Sequence, residues 1–167
     1  MADSYPNAST SPRRILVVDD DPAIRLLCTK TLKNAGYLVL EAAGSSEAMA
    51  LYTTSTEPID LLLTDLFLPP PDFQLSSNKT QYPRVNGHEL VRQALSVKKE
   101  LRVLLMSSHP ITSLAAQGIA VESEQFIHKP FSVETLLKQV ASALVAPPLR
   151  LEVPATSAPA KEVQWFD

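Results

Sequence analysis

The sequence has a single cysteine, no long apolar run and no excess of basic residues, and each absence closes off a class of function. Cys28 has no partner for an internal disulfide, so a reducing compartment is expected. No apolar stretch approaches the roughly 20 residues that span a bilayer. The opening MADSYPNASTSPRR has no signal-peptide core, so a cytoplasmic protein without a membrane partner is expected. A formal net charge of −3 gives no electrostatic case for binding nucleic acid. His88, His109 and His128 are scattered, which argues against a zinc site. No internal repeat is found.

What is present describes one globular domain. The 167 residues are 45% hydrophobic and 20% charged, enough for a single sizeable core and too few for two. Residues 1–12, rich in Ser, Pro, Asn and Thr, read as a disordered leader. The run PPPDFQLSSNKTQYPRVN has neither helical nor strand periodicity and reads as a long loop, with 70–85 as an insertion. Residues 147–167 read as a Pro/Ala-rich tail, although Trp165 and Phe166 are unusual in a spacer.

Between these segments, strand and helix patterns alternate five times. Ile15–Val18 is continuously apolar, as in a strand buried on both faces. Pro22 suits the first turn of a helix whose apolar positions are Ile24, Leu27, Cys28, Leu32 and Ala35, with Gly36 placed to end it. Tyr37–Leu40 is a second strand, and Ser45–Thr54 a helix capped by Ser45 or Ser46. Asp60–Thr64 is a third strand. Gly87–Val97 is a helix with Leu90, Val91, Ala94 and Leu95 on one face. Arg102–Met106 and Gln125–His128 are further strands. The last helix carries an apolar stripe of Val133, Leu136, Leu137, Val140, Ala141 and Leu144. Such alternation implies an α/β fold, a parallel sheet with helices on both faces. In open sheets of this kind ligands bind at the carboxyl ends of the strands.

Reactive residues cluster at those ends. Asp19, Asp20 and Asp21 follow the first strand, Asp65 the third, Ser107 and Ser108 the fourth, and Lys129 and Pro130 the fifth. Clustered carboxylates repel one another unless a cation neutralises them. All-oxygen ligation suits Mg²⁺, which keeps several waters. A hydroxyl (Ser107) and an ammonium (Lys129) then complete a site for a tetrahedral anion. Asp21 reads more simply as a helix N-terminal charge, and Ser108 as a small packing residue. Cys28 reads as core.

The segments ILVVDDDP, DLLLTDLFLP, VLLMSSH and FIHKPF, in this order, resemble a response-regulator receiver domain over residues 13–146. The resemblance implies a flavodoxin-like, three-layer doubly wound sheet of five parallel strands in the order 2-1-3-4-5. It makes Asp65 the phosphoacceptor, a carboxylate nucleophile. Asp19, Asp20, Asp65 and the backbone carbonyl of Phe67 become the Mg²⁺ ligands, with Asp20 the more direct of the first pair. Ser107 and Phe126 match the switch positions. Lys129 precedes Pro130, and this peptide is usually cis in the family. Phe67 and His109 occupy rim positions that modulate water's access. The implied partners are a histidine kinase or phosphotransfer protein and a downstream protein target. The receiver would catalyse only its own phosphorylation and dephosphorylation.

Three departures stand out. Pro69 and Asn86-Gly87 are separated by sixteen residues where the family has a few. Glu122-Ser123 replaces the usual Gly-Ala before the fifth strand, and Gly118 lies inside the expected fourth helix, which should therefore be short, shifted or frayed. No output domain is expected after Leu144. These leave a rival reading, a pseudo-receiver used as a phosphorylation-independent interaction module. A Mg²⁺-dependent aspartyl phosphatase is disfavoured, because the place of its general acid, two residues after Asp65, holds Phe67.

Overall fold

A computed structural model describes residues 11–69, 86–116 and 122–150 of the chain. Most of the expected leader, the 70–85 insertion, Gly118 and the tail beyond Arg150 lie outside them.

The elements run β1 (Arg14–Val18), α1 (Pro22–Asn34), β2 (Leu38–Ala42), α2 (Ser45–Thr54), β3 (Leu61–Asp65) and α3 (Asn86–Val97). They continue with β4 (Glu100–Leu101), β5 (Val103–Ser107), α4 (Ile111–Ala116), a 3₁₀ turn (Ser123–Gln125), β6 (Phe126–His128), α5 (Val133–Val145) and β7 (Leu149–Arg150). The five-stranded sheet has the order β2-β1-β3-β5-β6, and all its pairings are parallel. That is the expected 2-1-3-4-5 order, because the two-residue β4 takes a number without joining the sheet. β4 pairs antiparallel with β7, so Leu149–Arg150, in the segment read as a tail, folds back beside the start of β5. Arg102 Nε donates to the Ala146 carbonyl at 3.0 Å and ties down the same return.

The strands divide their side chains by the period of two. Ile15, Val17, Leu61, Leu63, Leu104 and Met106 pack on one face with Cys28 and Leu32 of α1 and with Leu136 and Val140 of α5. Leu16, Val18, Leu62, Val103 and Leu105 pack on the other with Tyr52, Leu90, Ala94 and Leu114 of α2, α3 and α4. This gives three layers with the sheet in the middle. Fully burying a single one of these leucines is worth about 2 kcal/mol, so both faces hold the sheet firmly beneath its carboxyl rim.

Several local expectations need correction. β2, β3 and β5 each end one or two residues later than their apolar runs, because the ladder continues through Val18–Ala42, Asp65–Met106 and Ser107–His128. β6 starts at Phe126, since Gln125 belongs to the 3₁₀ turn. In α1, Leu27 and Ala35 are exposed while Thr29 and Thr31 are buried: the helix is rotated from its apolar stripe. The N-cap of α2 is Gly44 rather than Ser45 or Ser46; Glu47 Oε2 instead accepts from the Ala43 N–H at 2.8 Å. In α5, Val133 and Ala141 are exposed and Ala143 is buried. Asp21 does serve the N-terminus of α1, as its N-cap, accepting from the Ala23 N–H at 2.8 Å. Gly36 follows that helix with φ of 93°, a left-handed value that glycine adopts without penalty. The described part of α4 is six residues.

Candidate functional site

β1, β3, β5 and β6 deliver the site by register. Asp65 pairs with Met106 and Ser107 with His128, so Asp65, Ser107 and Lys129 step across the sheet at its carboxyl rim. Asp19 follows the last residue of β1, and its N–H donates to the Ala42 carbonyl at 3.2 Å. Asp19, Asp65 and Lys129 also continue the strand phase of Val17, Leu63 and Ile127, which faces α1 and α5.

The three side chains meet. Lys129 Nζ lies 2.6 Å from Asp19 Oδ2 and 3.3 Å from Asp65 Oδ2. Asp19 is fully buried, and its second carboxylate oxygen accepts the Asp21 N–H at 2.9 Å. Asp65 Oδ1 accepts the Phe67 N–H at 3.2 Å. Carboxylate oxygens of Asp19, Asp20 and Asp65 all lie within 4.8 Å of one another, with Asp20 the exposed member. Ser107 is fully buried; its Oγ accepts the His109 N–H at 3.0 Å, which leaves the hydroxyl proton free to donate. The Lys129–Pro130 peptide is cis.

The electrostatics follow from burial. Burial raises the Asp65 carboxyl and the Asp19 charge adds to that, while Lys129 and the Phe67 N–H pull it back. Burial by itself would lower the Lys129 ammonium, but its bonds to Asp19 and Asp65 outweigh that and raise it. Three carboxylates face one ammonium, leaving two negative charges that a single divalent cation neutralises. The donors are all oxygens, which fits Mg²⁺ and not a softer metal. Asp19, Asp20 and Asp65 could hold such an ion.

At the rim, the rings of Phe67 and His109 contact each other with centroids 4.7 Å apart and planes tilted by 44°. Phe67 also packs against the α2–α3 side of the core. Phe126 is buried on that side, at the start of β6. Ser108 is exposed, contrary to its reading as a packing residue, and so is His128.

Two residues escaped sequence reasoning. Arg25 reaches back from α1 and donates through a guanidinium nitrogen to the Asp19 carbonyl at 2.7 Å. Gly87, noted only as a helix opener, packs directly on the backbone of Asp65 and Leu66, and its N–H donates to the Leu66 carbonyl at 3.1 Å. No local signal in the sequence marks either contact.

Known proteins resemble this chain in sequence and fold. Residues 15–72 match the response regulator receiver domain family. The response regulator receiver protein CpdR of Brucella abortus is 28% identical over 134 residues, covering 80% of this chain and 98% of that protein. The response regulator MprA of Mycolicibacterium vanbaalenii is 31% identical over 133 residues; here the chain spans about half (51%) of the relative's length. Among solved structures, the chemotaxis response regulator CheY4 of Vibrio cholerae superimposes with a TM-score of 0.62 at 27% identity, over 80% of this chain and 99% of that one.

Proposed function

We propose that the chain carries a response-regulator receiver domain, the phosphorylated module of two-component signalling, and that Asp65 is its phosphoacceptor. The observation that carries this reading is the meeting of three carboxylates and Lys129 at one rim. A histidine kinase or phosphotransfer protein is the donor: an Asp65 carboxylate oxygen attacks phosphorus, the phosphorus–nitrogen bond breaks, and the imidazole leaves. Asp19, Asp20, Asp65 and the Phe67 carbonyl would hold Mg²⁺, which would supply positive charge to offset the negative charge of the phosphoryl oxygens. Lys129 supplies a fixed positive charge and Ser107 a hydroxyl to two of those oxygens. Hydrolysis reverses the modification: water attacks phosphorus and Asp65 leaves as a carboxylate.

Ser107 and Phe126 are the switch pair, and the face of α4, β6 and α5 carries the change to a downstream protein. The protein acts in the cytoplasm as a relay through protein contacts, without turnover of an external substrate and without binding nucleic acid itself. No helix among the described residues is long and apolar enough to cross a membrane.

The test is transfer of labelled phosphoryl from a phosphorylated histidine phosphotransfer protein. Hydroxylamine-labile label on the wild type and none on Asp65→Asn supports the reading. A wild type that stays unlabelled but still binds partner proteins supports the pseudo-receiver instead.

A further inference from the structure

Asp19 has every polar group engaged. Its N–H donates to Ala42, its carboxylate oxygens take the Asp21 N–H and Lys129 Nζ, and its carbonyl takes the Arg25 guanidinium. That carbonyl is just past the end of β1, where strand pairing no longer constrains it.

The Asp19 C=O and the Asp20 N–H belong to one rigid peptide plane. Fixing the carbonyl therefore fixes the plane and the N–Cα bond of Asp20, which narrows the directions open to its side chain. Asp20 is exposed, and among the described residues its carboxylate has no hydrogen bond or ion pair of its own, yet it lies within the three-carboxylate set. Its placement must come from the backbone. Arg25 is suited to this task, because it is anchored one helix turn from the Asp21 N-cap and its part-buried side chain reaches back over the turn at 2.7 Å. A charge-assisted hydrogen bond to a backbone carbonyl is among the stronger tethers available to a side chain.

We propose that Arg25 is a positioning residue for the metal site: by pinning the Asp19–Asp20 peptide it pre-sets Asp20 for Mg²⁺. The proposal rests on the receiver reading above, and concerns how that site is held rather than whether it exists. Without the tether the turn samples other peptide orientations, and the binding-competent one is only a fraction of the population. Apparent affinity falls by that fraction.

The experiment measures Mg²⁺ binding by calorimetric titration and by the Mg²⁺-dependent rise in melting temperature, for wild type, Arg25→Met, Arg25→Lys and Asp20→Ala. Arg25→Met should weaken Mg²⁺ about tenfold, keep a melting temperature close to wild type without the metal, and recover phosphorylation by a small phosphodonor as Mg²⁺ is raised. Arg25→Lys, which keeps a charged donor, should recover part of the affinity. If Asp20→Ala abolishes Mg²⁺ binding while Arg25→Met binds within twofold of wild type, the positioning role is wrong and the receiver reading stands. If Arg25→Met unfolds, Arg25→Lys decides: wild-type affinity with a lowered metal-free melting temperature makes the residue merely structural. If the wild type itself binds no Mg²⁺, the receiver reading fails and this proposal falls with it.

Discussion

Gly87 stands so close to Asp65 that a Cβ on it would come within 2.3 Å of the Asp65 carbonyl oxygen, 2.8 Å of the Leu66 Cα and 2.9 Å of the Leu66 carbonyl oxygen. All three are backbone atoms, so no side-chain rotation relieves the clash. The first turn of α3 is thus seated against Asp65, the proposed phosphoacceptor.

Gly87→Ala must push α3 away from β3 or displace the end of β3. Overpacking of this kind typically costs about 1–3 kcal/mol. The denaturation midpoint should fall accordingly, and phosphorylation should slow because Asp65 and the Phe67 carbonyl shift together. Chemical denaturation and single-turnover phosphorylation check the two effects; an unchanged midpoint would mean that α3 is not held by this contact.

Asp65→Asn should stabilise the metal-free protein at neutral pH. The Asp65 carboxyl is raised in the fold, chiefly by burial. Its protonated form therefore contributes stability that is fully present below the ordinary carboxylate range and lost as pH rises through the raised value. At neutral pH the wild type has lost it, and Asn avoids the buried charge. The gain should be on the order of 1 kcal/mol, or about 2–4 °C. It should shrink as pH falls and vanish below about pH 4. Melting curves from acid to neutral pH without divalent cations measure this; a gain that persists at low pH would assign it to another cause.

Cys28 should be inert in the native protein. It is fully buried in the α1–α5 layer, and burial pushes its thiol up to about 12. At pH 8 roughly one thiol in ten thousand is then ionised, and the thiolate is the reactive form. Modification by a soluble thiol reagent should follow global unfolding as denaturant is added. Rapid native labelling would show that α1 opens locally.

If Asp65 is the phosphoacceptor, the contact between Phe67 and His109 should bear on how long a phosphoryl group survives. On the receiver reading, Phe67 is bulky and apolar where water would approach Asp65 in line, whereas His109 would orient water. With the Phe67 effect dominant, Phe67→Asn should hydrolyse its acyl phosphate about three- to tenfold faster than wild type, up to ~1.4 kcal/mol of barrier. Decay of the phosphorylated species by mass spectrometry measures the rate, and a slower decay in the variant would reverse the assignment.

The fold was legible because the strands advertise themselves: Ile15–Val18 and Leu61–Leu63 are apolar on both faces, the first running directly into Asp19 and the second through Thr64 into Asp65. The meeting of Asp19, Asp20, Asp65 and Lys129 was legible for the same reason, since a parallel sheet gathers strand ends. What was not legible depends on distances across the fold. Nothing local in Asn86-Gly87 reveals its press against Asp65, and nothing in Arg25 reveals the Asp19 carbonyl it holds. The rotation of α1, which buries Thr29 and Thr31 and exposes Leu27, is set by the neighbouring α5 and sheet rather than by its own apolar stripe.

If these residues form a Mg²⁺-dependent phosphoacceptor site at Asp65, a small phosphodonor should label it. Intact-mass spectrometry of the wild type and Asp65→Asn, after incubation with acetyl phosphate with and without Mg²⁺, tests it most directly. A mass increase of one phosphoryl group is expected in the wild type with Mg²⁺, little or none without it, and none in Asp65→Asn. An equal increase in Asp65→Asn, or a wild type that gains no phosphoryl group with Mg²⁺ present, would contradict it.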